Sequence, residues 1–354
     1  MKILHLSFSF TQGGIDNMMN DIMHYEVIQN HNVSLMILNN HIDEKVFSLL
    51  PSNIKTYRIG RSFSSKNPWY ILKMLFIINF IIKPDIIHCH NGNMGKFMPF
   101  ILCKSVLTVH AMNYNTKYYK YFDSVIGISK SVKNDILKTF KANNISYIYN
   151  GIDFNLIKKK YQSNSNTIYK IICVGRLDHI TKGQDILIEA MAEISKQTSK
   201  QYHLDLVGDG KSREYLESLV HKYNLSEKVS FLGNQKRSWV YKHISEYNLL
   251  VQPSRHEGFG LTLVEGIAAY TPVLASDIDG PKEILKNGEI GFLFSSENKE
   301  SLSKKILEIS QLPDSIIKEK LEHDFHFMEM RYSIINTVNQ YINLYNSIRK
   351  HENS

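Results

Sequence analysis

Residues 248–265 read NLLVQPSRHEGFGLTLVE, and this stretch decides the fold class. Asn248–Gln252 has the short apolar run of a buried strand, and the residues after Gly260 have the apolar spacing of an amphipathic helix. The glycines between them allow backbone N–H groups to approach an anion, and the start of a helix adds a partial positive charge. The stretch therefore predicts a strand, a phosphate-binding turn and a helix, in that order.

Two glutamates, Glu257 and Glu265, bracket this turn at a spacing of eight positions. Carboxylates are good acceptors for sugar and ribose hydroxyls, so the pair can hold different parts of one ligand. Charged residues are mostly exposed, and two surface glutamates are the alternative. The order of strand, glycine turn and helix favours the ligand-binding interpretation.

Short apolar runs and helical periods alternate through the rest of the chain. Further strands are predicted at Lys2–Phe8, Asn32–Leu38, Asp85–His90, Ser105–His110 and Ser124–Ser129, then at Tyr169–Val174, Tyr202–Val207, Val229–Leu232, Val273–Ala275 and Gly291–Phe294. Helical periods occupy Gly14–Gln29, Trp69–Lys83 and the chain from about Ser301 onward. Strands that alternate with helices indicate βαβ units and parallel sheets. The polar segment Lys158–Asn166 separates the two sets and is predicted to be a linker.

Length and composition indicate a globular protein of two domains. With 354 residues, 43% of them hydrophobic and 21% charged, the chain is too long for one ordinary domain and too apolar to be disordered. Its three cysteines have no CxxC spacing, which argues against a disulfide framework and indicates a reducing compartment. The apolar run Ile3–Phe8 is too short for the core of a signal peptide. We therefore expect a cytoplasmic protein.

The net charge of +8 lies entirely in the first half of the chain. Residues 1–150 contain 16 lysines and arginines against 8 aspartates and glutamates, whereas residues 151–354 contain 26 of each. One-sided basicity indicates an anionic partner, and we favour the anionic inner face of the cell membrane. A pI near 9.0 also permits nucleic-acid binding, but no recognition motif supports it.

Two aromatic or apolar segments bear on the membrane hypothesis. Trp69–Ile82 is nearly apolar but, at 14 residues, too short to span a bilayer. We expect it to be a helix packed on the sheet, with an interfacial helix as the alternative. Lys117–Phe122 fits an interfacial patch and an ordinary amphipathic helix equally well.

Two cations and a pair of glycines are further candidates for phosphate binding. Arg176 follows a predicted strand and Lys182 opens the next predicted helix, so both are expected at the carboxyl edge of the second sheet, where doubly wound folds bind ligands. Two fixed cations suit a leaving pyrophosphate, although two surface cations are the commoner case. Gly13 and Gly14 stand between the first strand and the first helix, where a plain turn explains them equally well.

Two other patterns imitate metal sites. His88-Cys89-His90 resembles a metal cluster, but on a strand only alternate residues share a face, and no carboxylate or thiolate group completes a zinc site with the two histidines. Asp277 and Asp279 form a DxD pattern after a strand, which is typical of a metal site for a diphosphate. Arg176 and Lys182 already supply the positive charge that a diphosphate needs, so a metal is not required there. We therefore predict no metal and no cofactor.

The order of these motifs resembles that of glycosyltransferase family 4, in which Glu257 and Glu265 match the EX7E motif. The resemblance covers nearly the whole chain, including Pro84–His88, Thr108–His110, Asn150–Asp153, Gly175–Leu177, Val207–Gly210, Phe231–Gly233 and Asp277–Glu283. One departure is Gly266, where the family usually has alanine. The resemblance implies an α/β protein with the GT-B fold, in which two Rossmann-like, doubly wound parallel-sheet domains face a central cleft.

The resemblance also implies a role for each candidate residue. Arg176 and Lys182 would hold the donor diphosphate, Glu257 would contact the donor sugar, and Glu265 would contact the ribose hydroxyls. His110 would reach the donor sugar from the first domain. A similar histidine strand occurs in the family without metal, as does the loop that contains Asp277.

Backbone groups complete the predicted donor site. The amides of Phe259, Gly260 and Leu261, with Gly13 and Gly14 of the first domain, would meet phosphates or sugar. The implied reaction is transfer of a hexosyl-type sugar from a nucleotide diphosphate sugar, UDP rather than GDP, with retention of anomeric configuration. The leaving phosphate oxygen would help to take the acceptor proton.

The predicted acceptor is a hydroxyl of a glycan or lipid-linked glycan for a bacterial surface polysaccharide. Predicted domains are residues 1–160 on the acceptor side, 161–330 for nucleotide-sugar binding, and a C-terminal helix, 331–354, that packs back on the first domain. Two alternatives stay open: a sugar-nucleotide epimerase of the same fold, and a non-catalytic protein that binds nucleotide sugars.

Overall fold

The computed structural model describes residues 1–11, 13–159 and 168–350. Contacts divide the chain into two compact units: unit 1 is Met1–Gly151 with the chain from Ile334 onward, and unit 2 is Ile152–Ser333. The predicted boundaries, after residues 160 and 330, differ from these changeover points. Most of the predicted linker, residues 160–166, lies outside the described residues.

Each unit is built on one parallel sheet. Unit 1 contains β1 (Lys2–Ser7), β2 (Asn32–Asn39), β3 (Lys55–Arg61), β4 (Ile86–Cys89), β5 (Lys104–Val109), β6 (Ser124–Gly127) and β7 (Ile145–Tyr147). Unit 2 contains β8 (Ile168–Val174), β9 (Gln201–Val207), β10 (Val229–Gly233), β11 (Leu249–Gln252), β12 (Val273–Ser276) and β13 (Phe292–Phe294). The sequence failed to predict β3 and β7, because β3 is a sheet-edge strand with little burial and β7 has only three residues.

Helices connect the strands and cover the sheets. They are α1 (Gly14–Ile28), α2 (Glu44–Phe47), α3 (Trp69–Phe76), α4 (Lys130–Thr139), α5 (His179–Lys182), α6 (Gln184–Gln197), α7 (Arg213–Lys222), α8 (Arg237–His243), α9 (Leu261–Ala268), α10 (Asp279–Ile284), α11 (Lys299–Ser310), α12 (Asp314–Tyr332) and α13 (Ile334–Lys350). Alternation of strand, helix and strand gives the α/β class, and the sheets have the doubly wound, Rossmann-like form that the sequence predicts.

The strand orders determine where a ligand can bind. They are β3-β2-β1-β4-β5-β6-β7 in unit 1 and β10-β9-β8-β11-β12-β13 in unit 2, and every pair is parallel. In both sheets the order reverses beside the first strand, between β1 and β4 and between β8 and β11. Ligands of doubly wound folds bind at the carboxyl ends of the strands that flank such a reversal.

The last helix belongs to unit 1. Tyr341 and Tyr345 of α13 are fully buried and pack in one cluster with Ile3 of β1 and Ile22 of α1. Their phenol groups therefore lie inside the core of unit 1, where their hydroxyl groups need hydrogen-bond partners.

The segment Trp69–Lys83 differs from the prediction of a helix simply packed on the sheet. After α3 the chain makes a π-helical turn over Ile77–Ile82. Met74 and Ile78 are fully buried, but Trp69, Phe76 and Phe80 are more than half exposed. One side of the segment packs on unit 1, and the opposite side is an apolar surface.

Candidate active site

The loops after β8 and β11 bring Lys182 and Glu257 together in unit 2. Lys182 Nζ lies 2.6 Å from Glu257 Oε2, and the two side chains are only 26% and 16% exposed. The prediction that Lys182 opens a helix is wrong: Lys182 is the last residue of the short helix α5, and α6 begins after Gly183. Gly183 has a φ of +65°, and a Cβ there would lie 1.9 Å from the carbonyl oxygen of Pro253. Glycine is therefore required where the two loops meet.

Gln252 is a site residue that the sequence analysis missed. As the last residue of β11 it donates from Nε2 to Glu257 Oε2 at 2.8 Å. Its own Oε1 is buried and, within the described part of the chain, accepts no hydrogen bond. An amide at the carboxyl end of a buried strand is the sequence signal that could have identified it. Lys182 and Gln252 together fix one oxygen of Glu257.

Arg176 lies apart from this pair. Its side chain is 67% exposed, and its Nη2 is 3.5 Å from Asp178 Oδ2. Among the described residues, no hydrogen bond joins Arg176 to Lys182 or Glu257. Asp178 is 7% exposed at its side chain and also lies 3.4 Å from Lys211 Nζ. Arg176 is thus a weakly held cation at the same sheet edge, with freedom to turn toward an anion.

A second missed feature is an ion pair that fastens the loop after β11. Arg255 donates to both carboxylate oxygens of Asp185 at 2.8 and 2.9 Å and to the carbonyl oxygen of His179 at 2.6 Å. The Asp185 hydrogen bond is the main reason that the pKa of Arg255 rises. This bidentate contact ties the loop to α5 and α6, so it helps to hold Glu257 in place.

The helix α9 begins at the same edge without a side-chain cap. Gly260, its N-cap residue, has a φ of +106° and has no side chain that could cap the helix. Such a helix end has unsatisfied N–H groups and a partial positive charge, both suited to phosphate. Phe259 is 2% exposed and packs against Tyr332, so its side chain is part of the protein interior. Leu261 is half-buried. Glu265 is only 8% exposed, which excludes the alternative that both glutamates lie on the surface.

In unit 1, the glycine pair occupies the predicted position. Gly13 is the N-cap of α1, again without a side-chain hydrogen bond, and Gly14 is exposed. Asp16 in the first turn accepts from the backbone and side chain of Thr11, and burial raises the pKa of its carboxyl group. The starts of α1 and α9 therefore share a glycine N-cap without a side-chain hydrogen bond, but Gly13 has an extended backbone, Gly260 has a positive φ, and only α1 has a buried aspartate in its first turn.

His110 follows β5 and lies at the end of a chain of histidines. His110 Nε2 is 3.2 Å from His90 Nδ1, His90 Nε2 is 3.1 Å from His5 Nδ1, and His5 Nε2 is 2.8 Å from Glu26 Oε2. His110 is half-buried, whereas His90, His5 and Glu26 are buried. Burial lowers the pKa of His110 to about 3 and holds that of His90 well below its usual range. His110 is therefore neutral at ordinary pH.

Three buried histidines could hold a metal ion. Ligand atoms of His5, His88 and His90 lie within 4.8 Å of one another, so His5 supplies the third group that the sequence around His88 lacked. Each of their ring nitrogens already has a hydrogen-bond partner, however. A metal would have to displace several of these bonds. Asp277, at the other candidate metal pattern, accepts from the backbone N–H of Ser296 at 2.9 Å.

Family models and sequence relatives match most of the chain. The model described as glycosyltransferase family 4 matches residues 13–156, and that of glycosyl transferases group 1 matches residues 153–325. The chain is 30% identical to an uncharacterized glycosyltransferase of Methanocaldococcus jannaschii, over 81% of this chain and 79% of the relative. It is 28% identical to an O-antigen biosynthesis glycosyltransferase of Escherichia coli, over 72% of this chain and 74% of the relative.

Solved structures agree in fold. A structure of HepE from Anabaena in complex with UDP and glucose has a TM-score of 0.82 and 20% sequence identity, and it covers 98% of this chain and 100% of its own. A glycosyltransferase structure from Rickettsia africae has a TM-score of 0.82 and 21% identity and covers 98% of both chains. With these relatives and its two Rossmann-like units, the chain belongs to the family 4 type of glycosyltransferases with the GT-B fold.

Proposed function

We propose that this glycosyltransferase moves a hexosyl-type sugar from a UDP-sugar to a hydroxyl acceptor and retains the anomeric configuration. The observation that carries the proposal is the Lys182–Glu257 contact of 2.6 Å, at the edge where the strand order of unit 2 reverses. A carboxylate for sugar hydroxyls and a cation for phosphate stand there side by side. The uncapped start of α9 supplies further N–H donors at that edge.

In the proposed reaction, the bond between the anomeric carbon and the diphosphate oxygen breaks, and a bond to the acceptor oxygen forms on the same face. The acceptor proton passes to the departing phosphate oxygen, so the reaction needs no separate base. Negative charge grows on the diphosphate as it leaves, and Lys182, Arg176 and the amides at α9 stabilise it. Glu257 holds the sugar, and Glu265 holds the ribose. His110 contacts the donor sugar.

The proposed acceptor is a glycan or lipid-linked glycan of a bacterial surface polysaccharide. Support comes from relatives, one of which is the Escherichia coli O-antigen enzyme and another a poly(ribitol-phosphate) alpha-N-acetylglucosaminyltransferase of Staphylococcus aureus. We propose that the reaction requires neither metal nor cofactor, because Lys182 and Arg176 supply the charge that a metal would otherwise give to a diphosphate.

A nucleotide-sugar panel tests the donor. UDP-glucose, UDP-galactose, UDP-N-acetylglucosamine and GDP-mannose are screened by thermal shift, and a hit is then incubated with a glycan acceptor in the presence of EDTA. A bound ligand at 100 times its dissociation constant adds about 2.7 kcal/mol to the apparent stability. We expect a UDP-sugar to bind and its sugar to appear in product with unchanged anomeric configuration by NMR. An isomerised nucleotide sugar without acceptor would indicate an epimerase, and tight binding without turnover a non-catalytic protein.

We further propose that unit 1 attaches to an anionic membrane through an apolar face formed by the α3 segment. This face comprises Trp69, Leu72, Phe76, Phe80 and Ile81, which are 56–65% exposed. Their spacing places them along one side of the segment, and Phe76 and Phe80 contact each other with ring centroids 5.4 Å apart. Aromatic and aliphatic side chains on one helix side are typical of interfacial helices.

The charge around the apolar face supports an anionic membrane as its partner. Lys66, Lys73, Lys83 and Lys96 near it in sequence are all exposed, and between residues 63 and 102 the chain has one acidic residue, Asp85, which pairs with Arg349 at 3.0 Å. The surroundings are therefore basic, which suits anionic lipid headgroups. None of the helices in the described ranges has the length and apolarity needed to cross a bilayer. The Lys117–Phe122 patch contributes little, because Tyr119 and Phe122 are buried.

Vesicle binding tests this surface. The full chain should bind phosphatidylglycerol vesicles more tightly than phosphatidylcholine vesicles, and salt should weaken the binding because surface charge contributes to it. Replacement of Phe76 and Phe80 by serine should weaken binding at least about tenfold, since two large apolar side chains lose their insertion. Leu156→Ser, at an exposed leucine of unit 2, is the matched control. Equal binding to both vesicle types, or no loss in the double variant, would contradict the proposal.

A further inference from the structure

The histidine chain of unit 1 begins at a buried carboxylate that the proposed reaction does not use. Glu26 of α1 is completely buried. Its Oε2 lies 2.8 Å from His5 Nε2, and its Oε1 accepts from the Tyr345 hydroxyl at 3.2 Å. A carboxylate has only acceptor atoms, so both of its neighbours must donate.

This requirement passes along the first branch from ring to ring. A neutral imidazole has one donor nitrogen and one acceptor nitrogen. When His5 is neutral and donates from Nε2 to Glu26, its Nδ1 accepts from His90 Nε2–H at 3.1 Å. His90 Nδ1 then accepts from His110 Nε2–H at 3.2 Å. His110 Nδ1 is left as an acceptor, and no group in the described part of the chain donates to it.

The second branch gives a consistent assignment. The Tyr345 hydroxyl donates its proton to Glu26, so its oxygen accepts a hydrogen bond from His88 Nδ1–H at 2.7 Å. His88 Nε2 accepts from the Thr108 hydroxyl at 2.7 Å, and Thr108 accepts from the Tyr341 hydroxyl at 2.9 Å. Every donor in this branch meets one acceptor. Burial raises the pKa of Tyr345 far above its usual range and lowers that of His88, so the phenol keeps its proton and the imidazole takes no second one.

We propose that Glu26 is a positioning residue which, through His5 and His90, fixes His110 as its Nε2–H tautomer and presents Nδ1 as an acceptor to a sugar hydroxyl. The contact with sugar rests on the proposed function, whereas the tautomer does not. A free imidazole exchanges between two tautomers, and the Nδ1–H tautomer would set a second donor against a hydroxyl proton. A buried carboxylate at the far end of the chain removes that ambiguity without placing a charge beside the sugar.

Nitrogen-15 NMR of the full chain tests the tautomers directly, because protonated and bare ring nitrogens have distinct shifts. Resonances are assigned by their loss in single His→Gln variants. In the wild type we expect His5, His90 and His110 with the proton on Nε2, and His88 with the proton on Nδ1. His110 found with its proton on Nδ1, or as imidazolium at neutral pH, would overturn the proposal.

The Glu26→Gln variant tests whether Glu26 determines these tautomers, because glutamine has nearly the same shape as glutamate. The amide has one acceptor and one donor, while both neighbours of Glu26 are donors, so one branch must reverse. We expect either His110 to move its proton to Nδ1 or His88 to move its proton to Nε2. Tyr345→Phe is the matched control, since it removes the second branch and should leave His110 unchanged. Wild-type tautomers for both histidines in the Gln variant would refute a role for Glu26.

Three further outcomes bear on this inference, and the last two of them separate it from the proposed function. Stoichiometric zinc in the purified protein, bound through His5 and His90, would replace the hydrogen-bond chain with a metal site and overturn the inference. Sugar transfer by a protein whose His110 has the opposite tautomer would also overturn it, with the proposed function intact. The expected tautomers in a protein that fails to turn over any UDP-sugar would instead contradict the proposed function.

Discussion

The two sheet edges use opposite chemistry at equivalent points of the same topology. In unit 2, the loops after β8 and β11 place a lysine against a glutamate, with both side chains partly open to solvent. In unit 1, the strands β1, β4 and β5 and the residues directly after them contribute mostly buried histidines in a directed hydrogen-bond chain, and burial lowers the pKa of His88, His90 and His110. Strand order therefore determines where a site forms, but not its charge. A charged edge suits a diphosphate, and a neutral one suits hydroxyl groups.

The largest effect should follow from removal of the charges in unit 2. Lys182→Ala should cut turnover by about 10²–10³-fold, because the departing diphosphate loses a fixed cation. Arg176→Ala should have a smaller effect, since its side chain is 67% exposed and loosely held. Lys196→Ala, at an exposed lysine of the same unit, is the control. Steady-state turnover of the donor measures all three, and normal rates in both site variants would remove the electrostatic argument.

The next largest effect should come from the contact between the loops after β8 and β11. Gly183→Ala should destabilise unit 2 by about 1–3 kcal/mol, because an alanine at a φ of +65° is strained and its Cβ meets the Pro253 carbonyl oxygen. Gly175→Ala is the matched control, since a Cβ there meets nothing within 4 Å. Urea unfolding compares the two variants. Equal stability would show that the contact between these loops does not need a glycine.

Acid should affect unit 1 through its histidines. Burial lowers the pKa of His110 to about 3, so between pH 6.5 and 3 the unfolded chain binds a proton that the native chain does not. The stability contribution is therefore present above pH 6.5 and is lost as the pH falls. Over this window, replacement of His110 by Gln should reduce the number of protons taken up on unfolding by about one. The unfolding free energy should therefore depend less steeply on pH. His221→Gln, at an exposed histidine of unit 2, should leave the slope unchanged.

The same contrast explains how much the sequence could predict. The charged edge is encoded locally, because Arg176 and Lys182 lie in one short segment and Glu257 and Glu265 in another. Strand and helix periods also predict eleven of the thirteen strands found in the described part of the chain. Two details differ from the sequence prediction: Lys182 ends a helix rather than opening one, and Gln252 is not only a strand residue but also a hydrogen-bond donor to Glu257. Gly266 departs from the family, but a Cβ there would lie 2.6 Å from Val273, so packing requires the glycine.

The neutral edge was not predictable in this way. Glu26, His5, His90, His110 and Tyr345 come from five separate elements or loops, and no local pattern links them. The sequence shows that His88 and His90 share a strand, but it does not show that His5 lies beside them or that Glu26 is bound to His5. Hydrogen-bond direction depends on which nitrogen faces which partner, and only the folded chain determines that. The exposed side of the α3 segment was likewise hidden, since periodicity does not tell which face is covered.

The most direct test of the account is a kinetic comparison of Glu257→Ala and Glu265→Ala with the UDP-sugar that binds. If Glu257 holds the reacting sugar, its hydrogen bonds strengthen as the ring gains positive charge, so its loss should lower kcat more than it weakens donor binding. Glu265, assigned to the ribose, should affect mainly the donor KM, by about 1.5–3 kcal/mol. The predicted result is a fall in kcat for the first variant and a rise in KM for the second. Wild-type kinetics in both variants would contradict the account, because the two glutamates would then have no part in donor binding or transfer.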